Sequence, residues 1–279
     1  MRYKINLAYD GAGFCGWQIQ PQESTVQETL ERALEVLLRK RVQVIGAGRT
    51  DTGVNASYYV AHFDCDGPVP QPLQDAGSEP SLLNCSQLRY KLNAILPKSI
   101  SIISIEKADP DFHARFDAVR RQYTYFLHRV KDPFCDGYSY LYAYPDLDFN
   151  AMNRAAALLL GTHDFSCFEK SGGDNKTSVC TVFSAWWEPY EPVIHAGQVI
   201  QGEPCYWRFT IEADRFLRNM VRAIVGTLLE VGRGHRSEVD FANLVLPPVS
   251  GKEACFSRRS DAGESVPGHA LFLSHIEYH

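Results

Sequence analysis

No Cys-x-x-Cys pair occurs in this sequence, although it holds eight cysteines, at 15, 65, 85, 135, 167, 180, 205 and 255. Their scatter argues against a zinc ribbon or a thioredoxin-like redox motif. Long apolar runs are missing as well. None approaches the ~20 residues that a membrane span needs. The opening MRYKINLAYDGAGFCGWQIQ alternates polar and apolar residues without a continuous apolar core, so no secretory signal is expected. Reduced thiols in the cytoplasm are the simplest expectation, and the three Asn-x-Ser/Thr sequons at Asn55, Asn84 and Asn175 carry no weight there. Spacing typical of zinc ligands is absent, and His163-Asp164 is too short to argue a metal. Positive charge is also in deficit: 28 Lys and Arg against 33 Asp and Glu leave a net charge of −5. That argues mildly against a nucleic-acid partner. It does not exclude one, because the charge at the binding face decides.

What is present is ordinary for a globular chain: 279 residues, 45% hydrophobic and 22% charged. A disordered chain, a collagen and a disulfide scaffold are excluded. The length suits one large domain or two modest ones.

Tyr3, Ile5, Leu7 and Tyr9 alternate with polar or small residues and predict a strand with one buried face. Ser24 with Gln27, or Thr25 with Glu28, caps a helix that runs to about Lys40 on the apolar set Val26, Leu30, Ala33, Leu34, Leu37 and Leu38. Strands are expected over Val42–Gly46 and Tyr58–Phe63, a helix over Ser86–Leu96 and a strand over Ile100–Ile105. Residues 64–86 hold four acids, four prolines and no Lys or Arg, which reads as an exposed, mobile insertion. In the second half, strands are expected over Arg120–Val130, Val179–Trp187, Cys205–Ala213 and Leu271–Tyr278, and helices over Asn150–Leu160 and Asp214–Val231. Two α/β halves follow, 1–107 and 108–279, with a cleft between them.

Four stretches could carry chemistry. Gly11-Ala12-Gly13-Phe14-Cys15-Gly16 is a literal G-x-G-x-x-G. A dinucleotide site needs a helix to open inside that motif, and here the helix starts only near residue 25. A nicotinamide-dependent oxidoreductase is therefore rejected, and the glycines are read as turn residues. Gly46–Asn55 crowds small residues around Arg49 and Asp51, so a carboxylate nucleophile beside a substrate-handling guanidinium is conceivable. Taken alone, that loop is more simply a capped turn. On the helix expected over 214–231, Arg215, Arg218 and Arg222 fall at i, i+3 and i+7, on one face. A solvated face fits Arg215 and Arg218. It fits Arg222 less well, because Ala223–Leu229 carries no charge, and a half-buried Arg wants a carboxylate partner. Last, RFDAVRRQYTY (115–125) interleaves aromatics with Arg, which suits stacking on a base, although a strand with Tyr123 and Tyr125 in the core is the commoner outcome. The net charge hides basic stretches: +4 over 39–49, +2 over 109–131 and +3 over 208–236.

Taken together, YDGAGFCGWQ with QPQESTVQETLE, GAGRTDTGVNA, FHARFDAVRRQYTYFL, GTHDFSCF and FLRNMVRAIVGTLLEVGRG resemble the TruA family of tRNA pseudouridine synthases, in the family's order from about residue 3 to 236. The resemblance implies an α+β fold of two similar halves, sharing a mostly antiparallel sheet backed by helices on one face, around a central cleft. It implies a cytoplasmic homodimer without membrane attachment that binds the tRNA anticodon arm. It implies isomerisation of uridines 38, 39 and 40 with no metal, nucleotide or redox cofactor. By the same resemblance Asp51 is the catalytic carboxylate, and Arg49 helps hold the flipped nucleotide. Tyr123 stacks on the target base and assists proton removal from C5. Arg222 pairs with the carboxylate. Arg215 and Arg218 are not carried over in this way; as basic residues they are expected among the phosphate contacts of the substrate. A neighbouring guanidinium favours an ionised carboxylate, and stacking on an aromatic ring offsets ~1–3 kcal/mol of the cost of unstacking a base. Thr52 and Asn55 depart from the usual Ala or Ser and His, and the tail over 251–268 aligns poorly. With Asp51, Tyr123 and Arg222 all present, a non-catalytic RNA-binding protein on the same scaffold is the weaker alternative.

Overall fold

The computed structural model describes residues 1–74, 82–172, 176–197, 204–245 and 258–279. They form two compact units, Met1–Val119 with Leu273–His279, and Arg120–Phe272. The last strand thus rejoins the unit in which the chain began.

In the first unit, β1 (Arg2–Tyr9) buries Tyr3, Ile5, Leu7 and Tyr9 while the residues between them stay partly exposed, as the alternation predicts. Helix α1 (Val26–Leu38) is capped by Thr25, whose hydroxyl accepts the Glu28 N–H at 3.4 Å, so the second of the two expected caps is the one used. The helix ends at Arg39, which adopts a left-handed conformation. Strand β2 (Val44–Gly46) pairs antiparallel with β3 (Asn55–Asp64), and β3 pairs with β1, setting Ile5 against Ala61. Helix α2 (Cys85–Ile95), capped by Asn84, leads through Pro97 into β4 (Ile100–Lys107) on the other side of β1. The strand order of this unit is β4-β1-β3-β10, where β10 is Leu271–Tyr278.

The described ends of the 64–86 segment correct the expectation of an exposed insertion. Cys65, Val69, Leu73 and Leu83 are buried, Leu83 donates its N–H to the Tyr3 hydroxyl at 3.2 Å, and Gln74 bridges to Leu83. The scattered apolar residues anchor what the acids and prolines appear to free. Residues 75–81 lie outside the described residues, and with them the expected mobility.

In the second unit, β5 (Ala118–His128) pairs antiparallel with β9 (Tyr206–Ala213), which pairs with β8 (Val179–Pro189), which pairs with β7 (Gly161–Asp164). A short β6 (Tyr140–Leu141) runs parallel beside β5, so both units are mostly antiparallel and the α+β class holds. Helix α3 (Phe149–Ala157) is capped by Asp148 and fixed to β8 by Asn153, whose side chain accepts from the Trp187 N–H and donates to its carbonyl. Helix α4 (Met220–Gly232) is buried along nearly its whole length, and α5 (Glu238–Ala242) follows it.

The helix expected over 214–231 starts six residues late. Asn219 sits at φ +65, which breaks the helical path. Upstream, Asp214 accepts N–H groups from Thr181 and Arg215, fixing an irregular approach. Tertiary bonds override a helical hydrophobic period here. Arg215 and Arg218 therefore do not share a helix face with Arg222. Among the described residues no helix is long and apolar enough to cross a membrane.

Candidate active site

Asp51 lies in the loop of 47–54 that joins β2 to β3. It is half-buried, Thr50 before it is buried, and Arg49 is exposed. Two aromatic side chains hold the loop and a third packs against them. The Tyr9 hydroxyl meets the Thr50 hydroxyl at 2.9 Å, and the Tyr59 hydroxyl donates to the Gly48 carbonyl. Trp17 stacks on Tyr59 with centroids 4.1 Å apart, and Tyr9 meets Tyr59 edge-on at 5.6 Å.

It is held from the side by the glycine-rich turn of 11–16. A Cβ on Gly11 would fall 2.2 Å from the Val54 carbonyl oxygen, and one on Gly16, at φ +85, would fall 2.2 Å from that of Thr50. Only glycine permits approaches this close. Gly11 also donates its N–H to Asn55 Oδ1 at 2.7 Å, and the Gly53 N–H reaches the Phe14 carbonyl. Asn55, the residue that departs from the family pattern, is thus a buried brace of the loop. The start of α1 completes the frame: Val26 and Gln27 donate N–H groups to the Gly16 and Trp17 carbonyls. The glycine motif packs against the Asp51 loop, and α1 opens ten residues after Gly16.

Tyr123 lies in the second unit, on β5 opposite Ile211 of β9. It is 9% exposed, and its ring meets Phe216 edge to face at 5.0 Å and 88°. Arg222 stands in the first turn of α4, partly exposed. It donates from Nε to the Val266 carbonyl at 2.7 Å, and its own carbonyl accepts the Val266 N–H. Tyr125, two residues along the strand from Tyr123, donates its hydroxyl to the Pro267 carbonyl at 3.1 Å. Burial pushes the Tyr125 phenol far above its usual range, against the pull of the Arg222 charge, so it stays a neutral donor.

A strap of 262–267 therefore passes between β5 and α4. Gly226, one turn beyond Arg222, lets it in: a Cβ there would overlap the Glu264 carbonyl oxygen at 1.8 Å. The Gly263 N–H bonds the Thr227 hydroxyl, and Asn219 and Arg259 both reach the Ser265 hydroxyl. Sequence reasoning missed this strap, which lies in the tail that aligned poorly. Its one signal was a glycine in an otherwise apolar helix.

Arg215 and Arg218 turn to neighbouring backbone. Arg215 donates to the Thr177 and Val179 carbonyls at 2.6 Å each, and Arg218 to the Ser171 carbonyl at 3.1 Å. Burial pushes the nearby Cys180 thiol up to about 11, against the pull of Arg215, which keeps it neutral. Asp51 and Arg49 thus belong to the first unit, and Tyr123, Arg215, Arg218 and Arg222 to the second.

Residues 155–279 match a family model described as tRNA pseudouridine synthase. The chain is 46% identical over 277 residues to a tRNA pseudouridine synthase A of Bacteroides fragilis, covering 99% of this chain and 96% of the relative. It is 44% identical to one of Parabacteroides distasonis, over 99% and 96% of the two chains. It is 35% identical to one of Bacillus licheniformis, over 100% and 99%.

Proposed function

The chain belongs to the TruA family of tRNA pseudouridine synthases, isomerases that act on tRNA, and on that premise we propose a cofactor-free reaction at uridines 38, 39 and 40 of the anticodon arm with Asp51 as nucleophile. The ionised Asp51 carboxylate attacks the ribose, and the bond from C1′ to N1 of uracil breaks with its electron pair leaving on the base. The freed base turns and C5 bonds to C1′ as the bond from C1′ to the Asp51 oxygen breaks, its electron pair returning to the carboxylate. C5 loses its proton and N1 gains one, so product and substrate have the same atoms. Tyr123 faces the base and assists removal of the C5 proton. Arg222 supplies the positive charge that favours an ionised carboxylate. Arg49, exposed two residues before Asp51, holds the flipped nucleotide.

The observation that carries this reading is the bracing of the Asp51 loop. Tyr9, Tyr59, Asn55 and two glycine contacts all act on the eight residues around one carboxylate. A nucleophile needs such fixed placement, and a surface turn does not. Arg218, exposed beyond its bond to Ser171, suits a phosphate contact, and Arg215 acts through the 177–179 segment it holds. The working form is a cytoplasmic homodimer, and an active monomer in light scattering would remove that part of the reading.

The test is tritium release from tRNA carrying 5-tritiated uridine, with wild type and Asp51→Asn side by side. Release by wild type and a loss of at least ~10⁴-fold in the variant, with tRNA still bound, is expected. Release by both excludes Asp51 as nucleophile. Binding without release by either leaves a non-catalytic RNA-binding protein.

A further inference from the structure

Phe116 is 75% exposed, yet it is not on a loose loop. It sits at the tip of a turn over 113–117 whose other members are occupied in holding it. The Asp117 carboxylate accepts the His113 N–H at 2.7 Å, and the Asp117 N–H returns to the His113 carbonyl at 3.0 Å. The His113 Nδ1 accepts the N–H groups of both Arg115 and Phe116 at 3.2 Å. Ala114, fully buried, is bonded to the sheet on both sides. Its N–H goes to His62 Nδ1 at 3.1 Å, and its carbonyl accepts the Tyr278 hydroxyl at 2.7 Å. Burial, followed by the charges of Arg2 and His113, lowers His62 to about 4, so its ring stays neutral and keeps the lone pair that this bond needs. Arg2 fixes the residue before the turn by donating to the Phe112 carbonyl at 2.9 Å.

A phenyl ring free to move would fold onto the nearest apolar surface. This one is prevented from doing so. His113 stacks on one face with centroids 4.2 Å apart at 29°, and the Arg115 guanidinium lies 5.8 Å from the ring centre. A presented aromatic face beside an exposed Arg is the pairing that takes a stacked base and its phosphate. The geometry points to the 113–117 turn as a tRNA contact, with Phe116 stacking on an unpaired nucleobase of the substrate. The inference rests on tRNA being the substrate, and it takes no part in the chemistry at C1′.

Three variants test it: Phe116→Ala, Phe116→Leu and Phe116→Trp. Each is measured for tRNA affinity in the Asp51→Asn background, and for KM and kcat with Asp51 intact. The alanine variant is expected to weaken binding and raise KM about tenfold, with kcat unchanged within about twofold. Tryptophan restores the wild-type values and leucine does not, because leucine has no π face. Wild-type affinity in the alanine variant overturns the inference, and so does full rescue by leucine. Loss of affinity that follows subunit dissociation in sedimentation also overturns it, and makes Phe116 a contact between copies of the chain. A fall in kcat without a change in affinity overturns it too. Failure of wild type to release tritium, with the affinity pattern intact, refutes the proposed reaction while sparing this contact.

Discussion

The Asp51 loop and the Arg222 turn are each held tightly, but by different means. The loop is held on several sides: by Tyr59, which follows it closely in sequence, and by the Tyr9 hydroxyl and the glycines 11 and 16 from a turn far earlier in the chain. Its grip is mostly steric, two glycines admitting carbonyl groups that any side chain would expel. Arg222 is held by one segment, through one charged donor on the Val266 carbonyl and a glycine that admits Glu264. A carboxylate gains from a rigid frame that spares its own oxygens the task of placement. A residue that supplies positive charge spends part of its own hydrogen-bonding capacity on being positioned, so charge and placement cannot be altered separately.

That difference is open to test, and the largest expected effect is on the steric side. Gly16→Ala puts a methyl group into the Thr50 carbonyl at a backbone angle of φ +85. Strain at such an angle costs ~1–3 kcal/mol and overpacking a further ~1–3. A fall in Tm of roughly 5–15 °C is expected in a thermal melt. Movement of the Asp51 loop by even a fraction of an ångström is expected to lower kcat about 10²-fold, with tRNA affinity kept. A folded variant with wild-type kcat would mean that the turn of 11–16 does not place the carboxylate.

Arg222→Lys addresses the other side. Lysine keeps the charge but loses the planar fork that lets one group grip a carbonyl and still offer donors elsewhere. If placement through Val266 matters, kcat/KM falls about tenfold, in line with a lost charge-assisted hydrogen bond of ~1.5–3 kcal/mol. Tm falls by a few degrees at the same time. Full activity in Arg222→Lys would show that charge alone is needed there, and the two regions would then differ in function as well as in construction.

What could be read in advance depended on how near in sequence the partners of each element lie. The first strand, β1, was plain from alternation, because period and burial coincide there. The cap of α1 was legible because its partner lies three residues away, whereas the residues of the 47–54 loop alone suggested no more than a capped turn. The start of α4 was not legible. Phe216, Leu217, Met220 and Val221 carry a helical period through 214–219, but Asp214 and Asn219 are claimed by tertiary bonds to Thr181 and Ser265. The strap of 262–267 was invisible for the same reason: its partners are Arg222, Gly226 and Thr227, and nothing local marks it. The segment 64–86 misled in the other direction, since composition weighed its acids and prolines while Leu73 and Leu83 decided its path. The glycine motif has no helix opening inside it, as its sequence suggested. Its contact with Thr50 and Val54 needed coordinates.

The smallest expected effect sharpens the comparison inside that motif. Gly13 lies between Gly11 and Gly16 in the same turn, is exposed, and has nothing within 4 Å of where a Cβ would stand. Its backbone angle is not in the left-handed region that strains other residues. Gly13→Ala should therefore leave the folded turn unchanged and restrict only the unfolded chain, stabilising the protein by about 0.4–1 kcal/mol. In a urea titration this appears as a small upward shift of the midpoint at constant slope, with kcat and tRNA affinity at wild-type values. Beside the destabilised Gly16→Ala, that outcome would separate the glycines that admit the Asp51 loop from the one that merely turns the chain. A loss of activity in Gly13→Ala would instead mean that ligand, not protein, occupies the open space above it.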